Sequence, residues 1–372
     1  MLGFAFTFQS LPPVLPLIAE ELRLTHAEAG LLMGLFSLPA IFLSILTGLL
    51  ADRLGPFKIG LFSLILMVSG ALIFAFSGTF VYAGLGRFIA GLGAATISIV
   101  AAQILSLWFR GREAGTAMGI FNTAMPVGTI VCFTIFGRLG EGLGWRVPIF
   151  FTATIGVMVL AAFLLLYKPP PTPPQETLVE KTGLFSTLLK VEVSVWLVGF
   201  CWMWFNAALI SFSTFAPDFF ISKGYSIGSA GLLASLLMWG SLGLSPIIGR
   251  LVDKVGNNEV FIGVGGIILA TAIYLVSQST DFLFSMIVMA VAVAFIPVPV
   301  FDFPSKVLKS EHLGLGFGIL SATSSIGVLF GPYLAGLVRD KAGSYETSFM
   351  LLSFFAIFVT ITAIVLRGRI HA

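Results

Sequence analysis

Two eight-residue stretches in equivalent places along the chain decide its fold: GLLADRLG at residues 48–55 and GRLVDKVG at residues 249–256. Each begins and ends with glycine, and each carries an aspartate followed directly by a basic residue. The shorter stretch AGLL also occurs twice, at residues 29–32 and 230–233, with the same separation between its copies. The chain therefore contains an internal repeat, with one copy in each half.

The composition around these stretches is that of a membrane protein. Of the 372 residues, 58% are hydrophobic and only 10% are charged, whereas a soluble domain carries about 25% charged residues. A chain of this length with so little charge cannot present a water-solvated surface. Cytosolic enzymes and secreted disulfide scaffolds are excluded, and the net charge of +3 is too small for a nucleic-acid binder.

Apolar runs of about 20 residues, the length needed to cross a bilayer, occur twelve times. The first six predicted spans are 1–18, 28–50, 58–77, 79–108, 113–138 and 145–167. The second six are 192–217, 226–250, 259–278, 281–303, 313–338 and 345–366. Between them lies a linker with five prolines at residues 169–174, which is typical of an extended spacer. We predict a six-helix domain at 1–167, a linker at 168–191 and a second six-helix domain at 192–372.

The basic residues predict the orientation of the spans. If Met1 is cytoplasmic, thirteen of the twenty Lys and Arg residues face the cytoplasm, six face the other side, and Arg87 lies inside a span. Basic residues concentrate in cytoplasmic loops, so we predict cytoplasmic termini and linker in a multi-pass protein of the plasma membrane. The first span has no residues before Met1, and we expect a trimmed or late-assigned start.

Because six spans per copy is an even number, both copies share one orientation and are related by a pseudo-twofold axis along the membrane normal. The predicted fold class is an all-α integral membrane protein with twelve transmembrane helices in two six-helix bundles. The sequence contains no phosphate-cradling Gly-Lys-Ser/Thr motif, no serine-hydrolase motif and no Cys/His metal set. We therefore expect no enzyme activity, no cofactor and no metal.

The repeated stretch resembles the signature loop of the major facilitator superfamily. The residues that carry the resemblance are Gly48, Asp52, Arg53, Gly55 and Lys58 in the first copy and Gly249, Asp253, Lys254 and Gly256 in the second. Residues 87–91, RFIAG, resemble that family's Arg-x-x-x-Gly motif. The resemblance implies a secondary transporter in which the loop aspartate latches the cytoplasmic face and holds an outward-open state. Solvated loop charges that only fix the topology are the alternative.

Four polar residues are predicted deep inside spans, where they would form one layer: Gln9, Arg87, Asn122 and Asn206. A charge inside the membrane needs water, carbonyl groups or an anion as its partner. Either Arg87 attracts an anionic substrate or takes part in a gate, or it is a structural arginine satisfied by helix carbonyls and Gln9. Trp202 is a candidate for an aromatic cavity wall, with packing or lipid contact as the alternative.

Charged residues near the span ends complete the candidates. Asp302 and Lys306 have the i,i+4 spacing of a helical ion pair, which predicts a cytoplasmic gate or structural pair, or else a proton-coupling carboxylate. Asp218 is expected to be an ordinary rim charge, and His26 falls at a span end.

The predicted function is secondary active transport of a small solute by alternating access, as symport or antiport. A small organic or inorganic anion is the favoured substrate because of Arg87, and a proton or substrate gradient is the expected energy source. Two alternatives stay open: efflux of amphipathic drugs, and a transporter-like sensor that binds a ligand without net flux. The expected partners are the lipid bilayer, the solute and protons, with a monomer as the working unit.

Overall fold

The computed structural model describes residues 1–109, 113–169, 191–278, 281–308 and 313–370. Twelve helical spans in these ranges are long and apolar enough to cross a bilayer. The first bundle contains α1 (Leu2–Leu22), α2 (His26–Leu54), α3 (Pro56–Ala75), α4 (Phe80–Trp108), α5 (residues 114–143) and α6 (Arg146–Leu166). The second contains α7 (Val193–Ser222), α8 (Ile227–Val255), α9 (Asn258–Gln278), α10 (Phe282–Val307), α11 (Leu313–Ala342) and α12 (Tyr345–Ile370). The predicted fold class is confirmed; most of the predicted linker lies outside the described residues.

Three of the spans are interrupted. In α1, the helix Leu2–Gln9 gives way to a tight turn at Pro12–Val14 before Leu15–Leu22 continues. In α10, the helix breaks at Ile296. Both breaks contain prolines, which lack the N–H that a continuous helix requires. A π-helical turn, Cys132–Phe136, interrupts α5.

The predicted signature loops are helical instead. Helix α2 continues to Leu54 and α8 to Val255, so the loops predicted at 48–55 and 249–256 shrink to their last residues. The reason is that the aspartate and the basic residue before the final glycine do not break a helix in either copy. Gly55 and Gly256 have φ angles of 85° and 80°, which glycine adopts without a steric penalty. The two copies therefore end their helices at the same repeat position.

The ends of the spans define two faces. We call the face that carries Gly55 and Gly256 the linker face, and the face that carries His26 and Tyr345 the distal face. The two bundles are in close contact in their distal halves, where α2 crosses α11 and α5 crosses α8. Backbone contacts without room for a Cβ atom occur between Gly336 and His26 and between Gly231 and Phe133.

Toward the linker face, one glycine of α5 and one of α8 border open space. A Cβ atom added to Gly119 of α5 or to Gly243 of α8 would meet no atom within 4 Å, and Asn122 is exposed. The close backbone contacts therefore hold the bundles against each other at the distal face.

Candidate functional site

A cavity of about 230 Å³ lies between the two bundles. Helices α1, α2, α4 and α5 line it from one side, and α7 and α11 line it from the other. Its polar lining consists of Ser37, Ser44, Ser98, Asn206, Ser321, Ser324 and Ser325. The rings of Phe4, Phe8 and Phe36 form much of its apolar wall. Among the described residues, no acidic or basic side chain lines it, so direct contacts to a solute come from hydroxyl, amide and aromatic groups.

Two serines close part of the gap across the cavity. The hydroxyl of Ser44 on α2 lies 3.0 Å from that of Ser321 on α11, within hydrogen-bonding distance. Asn206 on α7 donates its side-chain N–H to the carbonyl oxygen of Trp202, 2.8 Å away, which fixes the orientation of the amide. Asn206 is thus a predicted pathway residue that lines the cavity.

Arg87 occupies a sealed position behind the cavity wall, with only 1% of its surface exposed. Its guanidinium donates hydrogen bonds to the carbonyl oxygens of Thr7 at 2.8 Å, Phe8 at 3.3 Å and Leu32 at 3.2 Å. The break in α1 frees the Phe8 carbonyl, because its helical partner would be the N–H that Pro12 lacks. Arg87 therefore ties the broken helix α1 to α4 and α2.

The charge of Arg87 is hydrogen-bonded but not neutralised. It takes part in none of the ion pairs formed by the described residues, and carbonyl groups satisfy its N–H groups without a countercharge. The centre of the guanidinium lies 4.6 Å from the centroid of the Phe36 ring, and Phe36 is part of the cavity wall. The ring of Phe36 thus separates the positively charged guanidinium of Arg87 from the cavity.

The four residues predicted to share a polar layer do not meet. Arg87 is sealed in the first bundle, and Asn122 is exposed on α5 and does not line the cavity. Gln9 is fully buried, and neither its amide nitrogen nor its amide oxygen has a hydrogen-bond partner. Gln9 therefore does not help to satisfy Arg87. Depth along a span does not determine the direction in which a side chain points, so residues of similar predicted depth need not meet.

Trp202 does not line the cavity. Its ring stacks on Phe205, with the ring centroids 5.0 Å apart, and meets Phe301 edge-on at 5.2 Å. These contacts join α7 to α10 within the second bundle. The geometry thus corresponds to the packing alternative.

The signature residues lie at the linker face. Lys58, Asp253 and Lys254 are exposed and Gly249 is partly buried, while the burial of Gly48 and the side chains of Asp52 and Arg53 fall outside what the structure describes. Asp253 forms no ion pair with another described residue. The role of the predicted latch stays a prediction.

The predicted pair of Asp302 and Lys306 is present, with 2.6 Å between the carboxylate oxygen and the ammonium nitrogen. Asn258 of α9 donates to Asp302 at 2.9 Å and accepts from Lys306 at 2.8 Å. All three residues belong to the second bundle. Their geometry favours the structural interpretation, because the cluster joins helices of one bundle.

A cluster at the distal face was missed by the sequence analysis. It brings His26 of α2 together with Asp218 of α7, Asp340 of α11 and Tyr345 of α12. His26 and Asp340 are 314 residues apart in the sequence, and no local pattern indicates such a contact. The hydrogen bond between Tyr345 and Asp218 places the supposed rim charge inside a network.

The structure consists of two six-helix bundles that enclose a polar cavity and meet at one face of the membrane. This is the architecture of transporters that expose a central site to each side of the membrane in turn. The chain belongs to the major facilitator superfamily, because the family model described as Major Facilitator Superfamily matches residues 1–308 and 210–371. The predictions of a secondary transporter rather than an enzyme, and of this family, are confirmed.

Named relatives differ in what they carry. A hexuronate transporter of Bacillus subtilis (strain 168) is 24% identical over 387 residues, covering 94% of this chain and 88% of that protein. A lysosomal dipeptide transporter of Danio rerio, MFSD1, is 23% identical, covering 88% of this chain and 75% of that protein. Among solved structures, the nucleoside transporter NupG superposes with a TM-score of 0.77 at 15% identity, covering 98% of this chain and 96% of that chain. The structural similarity shows the fold, and the family rests on the family model.

Proposed function

We propose that this protein transports a small organic anion by alternating access, driven by a proton or substrate gradient. The observation that carries this proposal is the charge of Arg87, which has no ion-pair partner among the described residues and lies directly behind Phe36 in the cavity wall. A buried charge is screened by salt far less than an exposed one. Its positive potential therefore extends into the cavity and favours solutes with negative charge.

The lining of the cavity supports the same class of solute. Serine hydroxyls can donate hydrogen bonds to carboxylate oxygens, and such charge-assisted bonds are stronger than neutral ones. The same hydroxyls can also bind the hydroxyl groups of a sugar acid. The name of the Bacillus subtilis relative, a hexuronate transporter, agrees with a solute that carries both kinds of group.

The aromatic wall supports a second candidate, the efflux of amphipathic compounds. Phe4, Phe8 and Phe36 offer ring faces to an apolar solute. However, the cavity of about 230 Å³ lies below the roughly 300–1,000 Å³ of pockets that hold drug-sized ligands. That volume favours a solute of metabolite size, and the anion is therefore the first choice.

We also propose that the linker face is cytoplasmic and that the membrane is the plasma membrane. The excess of basic residues in the segments predicted to be cytoplasmic, thirteen against six, supports this orientation. With this orientation, the conformation described here is closed to the outside.

Three sugars with the same kind of ring but different charges test the proposal. Glucuronate is negatively charged, glucose is neutral and glucosamine is positively charged. We expect glucuronate to raise the melting temperature of the purified protein, with a smaller effect of glucose and none of glucosamine. Uptake of labelled glucuronate into proteoliposomes, with and without a pH gradient, then measures flux. Equal stabilisation by glucose and glucuronate would contradict the anion preference. Binding without flux under any gradient would identify a sensor instead.

A further inference from the structure

His26 forms the centre of the contact between the bundles at the distal face. Its ring nitrogen Nδ1 lies 2.7 Å from Oδ1 of Asp340, and Nε2 lies 3.7 Å from Oδ2 of Asp218. The backbone N–H groups of His26 and Ala27 also donate to the carboxylate of Asp340, at 3.0 and 2.8 Å. The start of α2 is thus held by one carboxylate from α11 and faces a second one from α7.

The ion pairs of His26 differ from the others in the described part of the chain. Glu21 pairs with Arg146 within the first bundle, and Lys223 pairs with Glu346 within the second. Asp302 and Lys306 lie on one helix. The two pairs of His26 are therefore the ones that join the two bundles. A change in the charge of His26 acts directly on the contact that must break when the distal face opens.

The groups around His26 create a negative environment. Besides the two carboxylates, α12 contributes Tyr345, whose hydroxyl donates to Asp218 and whose ring edge faces the imidazole at 5.9 Å. Arg339 of α11 stacks on Tyr345, with 4.6 Å between its guanidinium carbon and the ring centroid. On α2 itself, Glu28 turns back to the backbone N–H of Thr25 and is engaged in the helix cap.

The chemistry of imidazole makes this contact sensitive to protons. A neutral imidazole has one N–H donor and one acceptor, whereas the protonated ring donates from both nitrogens. With a carboxylate facing each nitrogen, the neutral ring directs one lone pair at a negative oxygen. Protonation replaces that repulsion by attraction on both sides. The side chain of His26 is 34% exposed, so water from the distal face reaches it.

We propose that His26 is a proton-binding site, and that the proton bound there holds the two bundles together at the distal face. The ligand is a proton taken from the water on that side. Histidine ordinarily titrates at a pH of about 6.5, so the site responds in the physiological range. Acid on the distal side stabilises the closed contact, and neutral or alkaline conditions favour its opening.

The sign and size of the effect follow from linkage between protonation and conformation. The closed state binds the proton more tightly, because opening separates His26 from both carboxylates. The ratio of closed to open molecules therefore rises as the pH falls, by at most about tenfold per pH unit for a single site. The backbone hydrogen bonds to Asp340 do not involve the imidazole and therefore leave a basal contact when His26 is neutral.

A distance measurement across the distal face tests the proposal without any substrate. Glu20→Cys on α1 and Lys341→Cys on α11, both at exposed positions, carry spin labels on the full chain in lipid nanodiscs. The native Cys132 and Cys201 are buried and are replaced by alanine in every variant. We expect the short distance to dominate at pH 5.5 and a longer one to grow about threefold or more by pH 8.5.

Variants of His26 distinguish the effect of its protonation from the effect of its packing. His26→Gln keeps a hydrogen-bonding amide but cannot titrate in this range, so its distance distribution should not change with pH. His26→Lys stays charged and should keep the short distance up to pH 8.5. Glu21→Gln removes an ion pair at the same face but inside one bundle, and it should titrate like the parent protein. Size-exclusion profiles establish that each variant is folded.

Two outcomes would overturn the proposal: a parent protein whose distances do not depend on pH, or a His26→Gln variant that titrates as the parent does. If His26→Gln does not fold, Asp340→Asn replaces it and should reduce the pH response at least about threefold. An unchanged response in Asp340→Asn also contradicts the proposal. Because no solute is present, none of these results depends on the identity of the transported anion.

Discussion

Arg87 stacks on Phe36 with 4.6 Å between the guanidinium carbon and the ring centroid, and Phe36 is part of the cavity wall. The arginine thus acts on the cavity through its electric field, without direct contact. Its hydrogen bonds go to main-chain carbonyls of α1 and α2. One side chain therefore has two roles that substitution can separate: it ties the broken helix α1 to its neighbours, and it makes the cavity positive.

Replacing Arg87 with glutamine should reduce the affinity for anions much more than that for neutral analogues. At a separation of about 8 Å and an effective dielectric constant of ~20, one charge contributes about 2 kcal/mol, or roughly thirtyfold in affinity. Calorimetric titration of glucuronate and glucose into both proteins measures the ratio of the two affinities.

Arg87→Lys is the matched control, because lysine keeps the charge but lacks the planar fork that reaches three carbonyls. It should keep the preference for glucuronate while losing thermal stability, since unpaired buried carbonyls cost about 1–3 kcal/mol each. An unchanged affinity ratio in Arg87→Gln would show that the field of Arg87 does not select the solute.

Gly336→Ala should open the distal face. A Cβ atom at this position would collide with the backbone carbonyl of His26, and two packed backbones cannot move apart without weakening the whole contact. We expect the longer distance between the labels at residues 20 and 341 to dominate even at pH 5.5.

The control for this prediction is Gly243→Ala on α8, where an added Cβ atom meets nothing within 4 Å. Alanine favours a helix over glycine by about 1 kcal/mol, so this variant should be at least as stable as the parent and should keep its distance distribution. If both variants behave alike, steric closeness at Gly336 is not what controls the distal contact.

The hydrogen bond between Ser44 and Ser321 should favour the conformation described here. Removing either hydroxyl should lower the ratio of closed to open molecules by about two- to fivefold, the equivalent of ~0.5–1 kcal/mol. The double variant should be no more affected than either single one, because both lose the same bond. Ser325→Ala is the control, because that hydroxyl lines the same cavity but forms its hydrogen bond within α11. If the effects of the Ser44 and Ser321 variants simply add up in the double variant, the prediction is contradicted.

Asp302→Asn should leave the pH dependence of transport intact. The carboxylate is paired with Lys306 and Asn258 inside the second bundle, and such a partly exposed pair contributes on the order of 0.5 kcal/mol to stability. Flux into proteoliposomes at several external pH values measures the effect. Transport that loses its pH dependence in Asp302→Asn, but keeps it in His26→Gln, would place proton coupling at Asp302 instead.

The sequence predicts most of the fold because the determining signals are local. Apolar runs set the number of spans, and the repeated stretch shows that the halves share one topology. The ends of α2 and α8 were wrong by several residues, because the charged pairs at 52–53 and 253–254 were interpreted as loop. Charges do not break a helix; the glycines that follow them do, through their positive φ angles.

The site was less predictable for a different reason. Arg87 was identified from its charge and depth, but its partners are main-chain carbonyls, which no pattern of residue types reveals. Asn206 lines the cavity and Asn122 does not, because the rotation of each helix about its axis depends on packing between distant parts of the chain. The contact of His26 with Asp340 depends on the same long-range packing.

Helix α2 runs without interruption from His26 at the distal face to Leu54 beside the signature glycine at the linker face. Its 29 residues span about 43 Å at 1.5 Å per residue, so a tilt of ~10° about the His26 end displaces the other end by roughly 7 Å. The helix is thus a lever with its fulcrum at one surface of the membrane. A tilt about the His26 contact would therefore displace the signature stretch at the linker face far more than His26 itself.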